Sequence, residues 1–143
     1  MSQMRRILLV LTMIVGVLAS SAVTSPAGAA TQCSYGYYSK VVKKQYASNI
    51  RNYLWLYYSS SNRCIYGSIG DTAGRTLPKG AKLWLDISQD GGRTWESRVG
   101  QRQLGAAAPS GAGLITNPYY DGNRVGRACT QVYSGPVSCT GWF

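Results

Sequence analysis

The run Ile50-Arg51-Asn52-Tyr53-Leu54-Trp55-Leu56-Tyr57-Tyr58-Ser59 decides the fold class. It reads as a β-strand, because bulky aromatic and aliphatic side chains occur at successive positions and the run ends in turn-forming residues. Side chains alternate across a strand, so Tyr53, Trp55 and Tyr57 line one face and Leu54, Leu56 and Tyr58 the other. Both faces are apolar, which predicts a central strand covered on both sides. Ser59-Ser60-Ser61-Asn62 turns the chain, and Cys64 to Ile69 returns as a second strand.

Downstream, the same pattern repeats in short pieces. Gly70 to Gly80 carries turn residues (Gly70-Asp71, Gly74, Pro78) and reads as a surface loop. Ala81 to Ser88 then alternates, with Leu83, Leu85 and Ile87 on one side and Lys82, Trp84 and Asp86 on the other. Asp90-Gly91-Gly92 closes a hairpin with Thr94 to Gly100. Gly105 to Asn117 is rich in Ala, Gly, Ser and Pro and reads as a long loop or weak edge. Val125 to Tyr133 and Ser138 to Phe143, around Gly135-Pro136, give two last strands. About six short antiparallel strands predict an all-β domain, a small sandwich or a partly open barrel. Upstream, Cys33 to Gln45 has no clean period; a short helix around Val41–Ser48 and an extended arm both fit it.

The first thirty residues read as a signal peptide. Arg5 and Arg6 precede an apolar run from Ile7 to Ala19, and Ala27-Gly28-Ala29 supplies the small-x-small cleavage pattern. The run is shorter than the roughly 18–20 residues a membrane span needs. The expected mature chain is residues 31–143, one secreted domain. Loss of Arg5 and Arg6 takes the formal charge from +10 to +8. All 11 Tyr, all 4 Trp and the single Phe lie in the mature part, where they must supply much of the buried area. So do all four cysteines. An even count in a small exported domain reads as a disulfide framework, and of three possible connectivities the local pairs Cys33–Cys64 and Cys129–Cys139 are favoured. With no Cys-x-x-Cys and no His, no metal site and no cofactor is expected.

Residues 88–95, Ser-Gln-Asp-Gly-Gly-Arg-Thr-Trp, are similar to the Asp-box, S-x-D-x-G-x-T-W, of sialidases and other secreted β proteins. Ser88, Asp90, Gly92, Thr94 and Trp95 match its five defined positions. The resemblance implies a structural hairpin: Asp90 accepts backbone N–H groups across its own turn, Gly92 takes positive φ, and Trp95 packs under the loop. One copy in a chain this short does not make a propeller, so no glycosidase activity follows from it. More loosely, the chain resembles families of small secreted actinobacterial proteins to which no reaction is assigned. The resemblance rests on Tyr57-Tyr58-Ser59, Arg63-Cys64, Pro78 and Gly80, Arg127-Ala128-Cys129 and the ending Cys139-Thr140-Gly141-Trp142, and it implies a secreted β domain.

The inventory of reactive groups is thin. There are 5 acidic residues and no histidine, so a Ser or Cys nucleophile lacks its usual base. Asp71 and Asp121 sit in Gly turns and Asp90 serves the hairpin. Asp86 and Glu96, on adjacent hairpin strands, could share a face and act as a carboxylate pair in glycoside hydrolysis; the plainer expectation is that each pairs with a cation such as Lys82, Arg93 or Arg98. No phosphate-binding Gly loop is present, and nucleic acid is not indicated beyond charge. The favoured reading is a non-enzymatic basic binding domain that adheres to anionic or glycan-bearing surfaces such as cell-wall polymer, with Lys40, Lys43, Lys44, Tyr37 and Tyr38 as candidate contacts. An inhibitor or toxin-like effector acting on another secreted protein is the alternative, using the loops Asp71–Lys79 and Gly105–Asn117.

Overall fold

The computed structural model describes residues 33–35, 39–48, 50–70, 76–109 and 112–143. The expected signal peptide and cleavage site lie outside the described residues, as do Tyr37, Tyr38 and Asp71. Every helix or strand among the described residues is a strand: β1 (Ser39–Ala47), β2 (Asn52–Ser59), β3 (Cys64–Gly70), β4 (Lys82–Ser88), β5 (Glu96–Gln103), β6 (Leu114–Ile115), β7 (Tyr119–Tyr120), β8 (Val125–Gln131) and β9 (Ser138–Cys139). No helix there is long and apolar enough to cross a membrane.

The strands form two antiparallel sheets that stay open rather than closing into a barrel. The first runs β1-β2-β3-β6, with β7 also on β3; the second runs β5-β4-β8-β9. Between them lies one core, in which Leu54, Leu56, Ile65 and Ile69 from the first sheet meet Leu83, Leu85, Ile87 and Ala128 from the second. Each fully buried aliphatic side chain contributes about 1.5–3 kcal/mol. Disulfides Cys33–Cys64 and Cys129–Cys139 complete the frame. The first fastens the segment before β1 to the start of β3, and the second staples β9 to β8. Beyond β9 the C-terminus keeps pairing with β8: Phe143 and Gly126 exchange both backbone hydrogen bonds, and Thr140 Oγ1 accepts from Ala128 N at 3.0 Å.

Two expectations are sharpened and one is corrected. To the six longer strands, β1–β5 and β8, the described residues add β6, β7 and β9, which have two residues each and leave no alternating pattern. The segment with no clean period is strand β1. Its register slips between Val41 and Lys43, a bulge that breaks the two-residue alternation. The bulge and its lysines also suit a sheet edge, since both discourage pairing with another chain. Finally, β2 is central in its sheet, between β1 and β3, but only its Leu54–Leu56 side is covered. Tyr53, Trp55 and Tyr57 are half-buried and face outward, with no third layer over them among the described residues.

Candidate functional site

The uncovered face of the first sheet is an aromatic strip, and strand register builds it. Tyr46 pairs with Tyr53, Lys44 with Trp55, and Tyr57 with Tyr66, and opposed residues point to the same side of a sheet. Ring contacts link most of the row. Tyr46 and Tyr53 meet edge to face at 5.3 Å, Tyr53 and Trp55 lie 6.1 Å apart, Tyr57 and Tyr66 stack at 4.9 Å with planes 3° apart, and Tyr35 meets Tyr66 edge-on at 5.3 Å. Tyr35 is held there by the Cys33–Cys64 bridge close by and by its own hydroxyl, which donates to the Thr116 carbonyl at 2.8 Å.

Trp55 sits at the middle of the row for a backbone reason. Its six-membered ring lies over Gly70, so that a Cβ at that position would stand 3.0 Å from Cζ3. Glycine therefore lets the half-buried indole approach β3 closely. Lys44 completes the strip, with Nζ 3.8 Å above the centre of the Tyr53 ring, a cation–π contact. No outward position of β1, β2, β3 or β6 among the described residues is acidic. Burial, and next the neighbouring Tyr66, raise the pKa of Tyr57 above the ordinary phenol value, so its hydroxyl remains a hydrogen-bond donor at neutral pH.

The outer face of the second sheet also carries tryptophan and arginine, but there they are tied down. Asp86 is buried, and four hydrogen bonds saturate its carboxylate. Trp84 Nε1 and Ser97 Oγ donate to Oδ1 at 2.9 and 2.8 Å; Arg127 Nε and Nη2 donate to Oδ2 at 3.0 and 2.9 Å. Arg127 lies between two indoles, 4.5 Å from the Trp142 ring and 4.8 Å from that of Trp95. The Cys129 and Cys139 sulfurs and an Asp86 oxygen lie within 4.8 Å of one another. Both sulfurs are spent in the disulfide and offer no thiolate, so this trio lacks the donors of a metal centre.

The Ser88–Trp95 loop is closed by its own side chains. Asp90 accepts from the Thr94 backbone N–H at 2.9 Å and from the Thr94 hydroxyl at 2.7 Å, and Ser88 Oγ donates to it at 2.7 Å. These bonds hold the Asp90 carboxyl at about 2, the Thr94 backbone bond contributing most. Gly92 has φ +94°, and a Cβ there would stand 2.6 Å from the Trp142 indole nitrogen. Glycine thus seats the loop on the C-terminal tryptophan. Trp95, expected beneath the loop, is 49% exposed and covers Arg127 instead.

Of Lys40, Lys43 and Lys44, the candidate contacts among the described residues, Lys44 alone joins the strip. Lys40 and Lys43 stand opposite Tyr58 and Leu56, on the other side of the sheet at its rim, so adjacent lysines in sequence point in opposite directions. Asp86 and Glu96 do not share a face. Between the pairs Leu85–Val99 and Ile87–Glu96, β5 has one residue more than β4. That bulge brings Ser97 to Asp86 and Arg98 over the Trp84 ring, 5.1 Å away, while Glu96 stands opposite Ile87. The cation on Asp86 is Arg127, its cross-strand neighbour, not Lys82, Arg93 or Arg98. Sequence reading missed Tyr46, Tyr53, Trp55, Tyr57, Tyr66 and Tyr35 as a set; the signal was the three aromatics spaced by two in β2. No family model matches the chain, and no curated protein or solved structure matches it.

Proposed function

We propose that this chain is a secreted, non-enzymatic binding domain that adheres to glycan-bearing, anionic surfaces of a cell envelope. The aromatic strip, with its lysine and, among the described residues, no carboxylate, carries this reading. Rings packed against one another are already ordered, so a ligand that lies on them costs little side-chain entropy. The surface around the strip supports it. Lys and Arg outnumber Asp and Glu 15 to 5 in the chain, and three of the few carboxylates are engaged within the fold: Asp86 by Arg127, Asp90 by its hairpin, and Asp121 near Arg63, whose Nε is 3.8 Å away. The remaining excess draws the domain to anionic polymer over a range set by salt, about 8 Å at physiological ionic strength.

Retention of the mature protein on purified cell wall across a salt series tests the reading. Expected is strong binding at low salt, with a residual fraction that survives high salt because ring stacking is not screened. No binding at low ionic strength would overturn it. The accompanying double substitution Lys43→Glu/Lys44→Glu should weaken retention at low salt.

A further inference from the structure

We infer that the strip is the site for an extended polysaccharide chain, whose sugar rings lie on Trp55 and its neighbouring tyrosines and whose acidic groups meet Lys44. The inference rests on the adhesion reading and adds to it the ligand's chemistry and its place on the fold.

Shape points to a polymer. A site for a small molecule is a concavity that encloses its ligand, whereas this is one open face of a sheet. From Tyr53 to Tyr57 the row runs about 13 Å along β2, and Tyr46 and Tyr66 extend it onto the strands on either side, about 5 Å each way. An elongated, shallow surface of this kind recognises a chain lying across it.

Side-chain chemistry points to sugar. A sugar ring has apolar C–H faces and a rim of hydroxyls. The strip offers both complements: the exposed part of the Trp55 indole for a face, and phenol hydroxyls, including those of the stacked pair Tyr57 and Tyr66, for the rim. Three other occupants fit less well. A second copy of this chain would bring Lys44 and the same basic surface against themselves, which like-charge repulsion opposes. A lipid surface takes a cluster of protruding aliphatic or aromatic side chains; here the exposed Val41, Tyr46 and Ile115 stand apart on three strands, while Tyr53, Trp55, Tyr57 and Tyr66 are half-buried and packed together. Single-stranded nucleic acid also stacks on aromatic rows, but its phosphates need a groove lined with cations. Lys44 is the one cation among the described outward positions of β1, β2, β3 and β6, which suits a chain of hydroxyl-rich rings with sparse acidic groups.

The test is titration of the mature protein, in low and high salt, with three probes: hyaluronate, in which acidic and neutral sugars alternate; hydroxyethyl cellulose, which is neutral; and oligo(dT). Wild type is expected to bind hyaluronate in high salt, cellulose ether more weakly, and oligo(dT) only in low salt. Trp55→Ala should weaken hyaluronate and cellulose binding by roughly tenfold, the scale of one aromatic stacking contact. Tyr46→Ala, at the exposed end of the row, should weaken both by a smaller factor and serves if Trp55→Ala fails to fold. Lys44→Gln should abolish the preference for hyaluronate, weakening its binding more than that of the cellulose ether. Wild-type affinity in both ring variants overturns the inference, as does binding to neither polysaccharide, a preference for oligo(dT) in high salt, or a wild-type dimer in sedimentation that Trp55→Ala dissociates. Each of these leaves the adhesion reading standing where the wild type still holds to cell wall, and only the cell-wall assay itself can remove that reading.

Discussion

The two outer faces of this sandwich are made of the same kinds of residue and do opposite things. On the second sheet, Trp84, Trp95, Trp142 and Arg127 close around Asp86, and every oxygen of that carboxylate is used. On the first sheet, Trp55 and five tyrosines lie in a row with a lysine and, among the described residues, no carboxylate to close on. What separates the closed face from the open one is one buried anion. Where it is present, the arginine and its indoles turn inward to it; where it is absent, the rings and the cation remain available to something outside.

The sharpest way to break that comparison is to remove the anion. Asp86→Ala would leave the Arg127 guanidinium without its partner under two indoles, and the Trp84 N–H and Ser97 hydroxyl without an acceptor. Loss of one member of a buried ion pair costs about 3–5 kcal/mol, so denaturant unfolding should show one of the largest losses of any single substitution. An unchanged midpoint would mean the second face is not a clamp. Next in size is Cys64→Ser, which frees Cys33 and Tyr35 at the far end of the strip and should cost about 2–5 kcal/mol. Ring contacts at the Tyr46 end should survive it wherever the domain stays folded.

A smaller perturbation touches the clamp's rim. Gly92→Ala places a methyl group where the Trp142 indole lies and forces an L residue into left-handed backbone, about 1–2 kcal/mol from the backbone alone, with displacement of Trp142 visible as a change in tryptophan fluorescence. Smallest is the acid response of the hairpin. Asp90 has its carboxyl lowered from 3.8 to about 2, so the native state binds its proton less readily than the unfolded chain. Its contribution is therefore present above about pH 4 and lost as pH falls toward 2. Asp90→Asn should flatten that part of the stability–pH curve, and an unaltered slope would show that the loop bonds do not form in solution.

Much of this was legible in the sequence, and the illegible parts share a cause. The faces of β2 and β4 follow from alternation alone, and the hairpin residues from turn chemistry. Alternation does not say which apolar face a second layer will cover: Tyr53, Trp55 and Tyr57 look as core-like as Leu54 and Leu56 until the topology places the second sheet on one side only. Bulges defeated the rest. One makes β1 aperiodic and puts Lys40 and Lys43, an odd number of residues apart, on the same side; another in β5 separates Glu96 from Asp86. Arg127 lies 41 residues from Asp86, and only the β4–β8 register brings them together.

The most direct measurement of the central claim substitutes one tryptophan on each face. Trp55 on the open strip and Trp95 on the clamp are both partly exposed, so loss of either should leave a folded domain. High-salt retention on purified cell wall is then compared for wild type, Trp55→Ala and Trp95→Ala, each verified as folded by its near-ultraviolet circular dichroism. The account predicts that Trp55→Ala loses the salt-resistant fraction while Trp95→Ala keeps it. Equal retention by both variants, or loss confined to Trp95→Ala, would contradict it and move the binding surface off the first sheet.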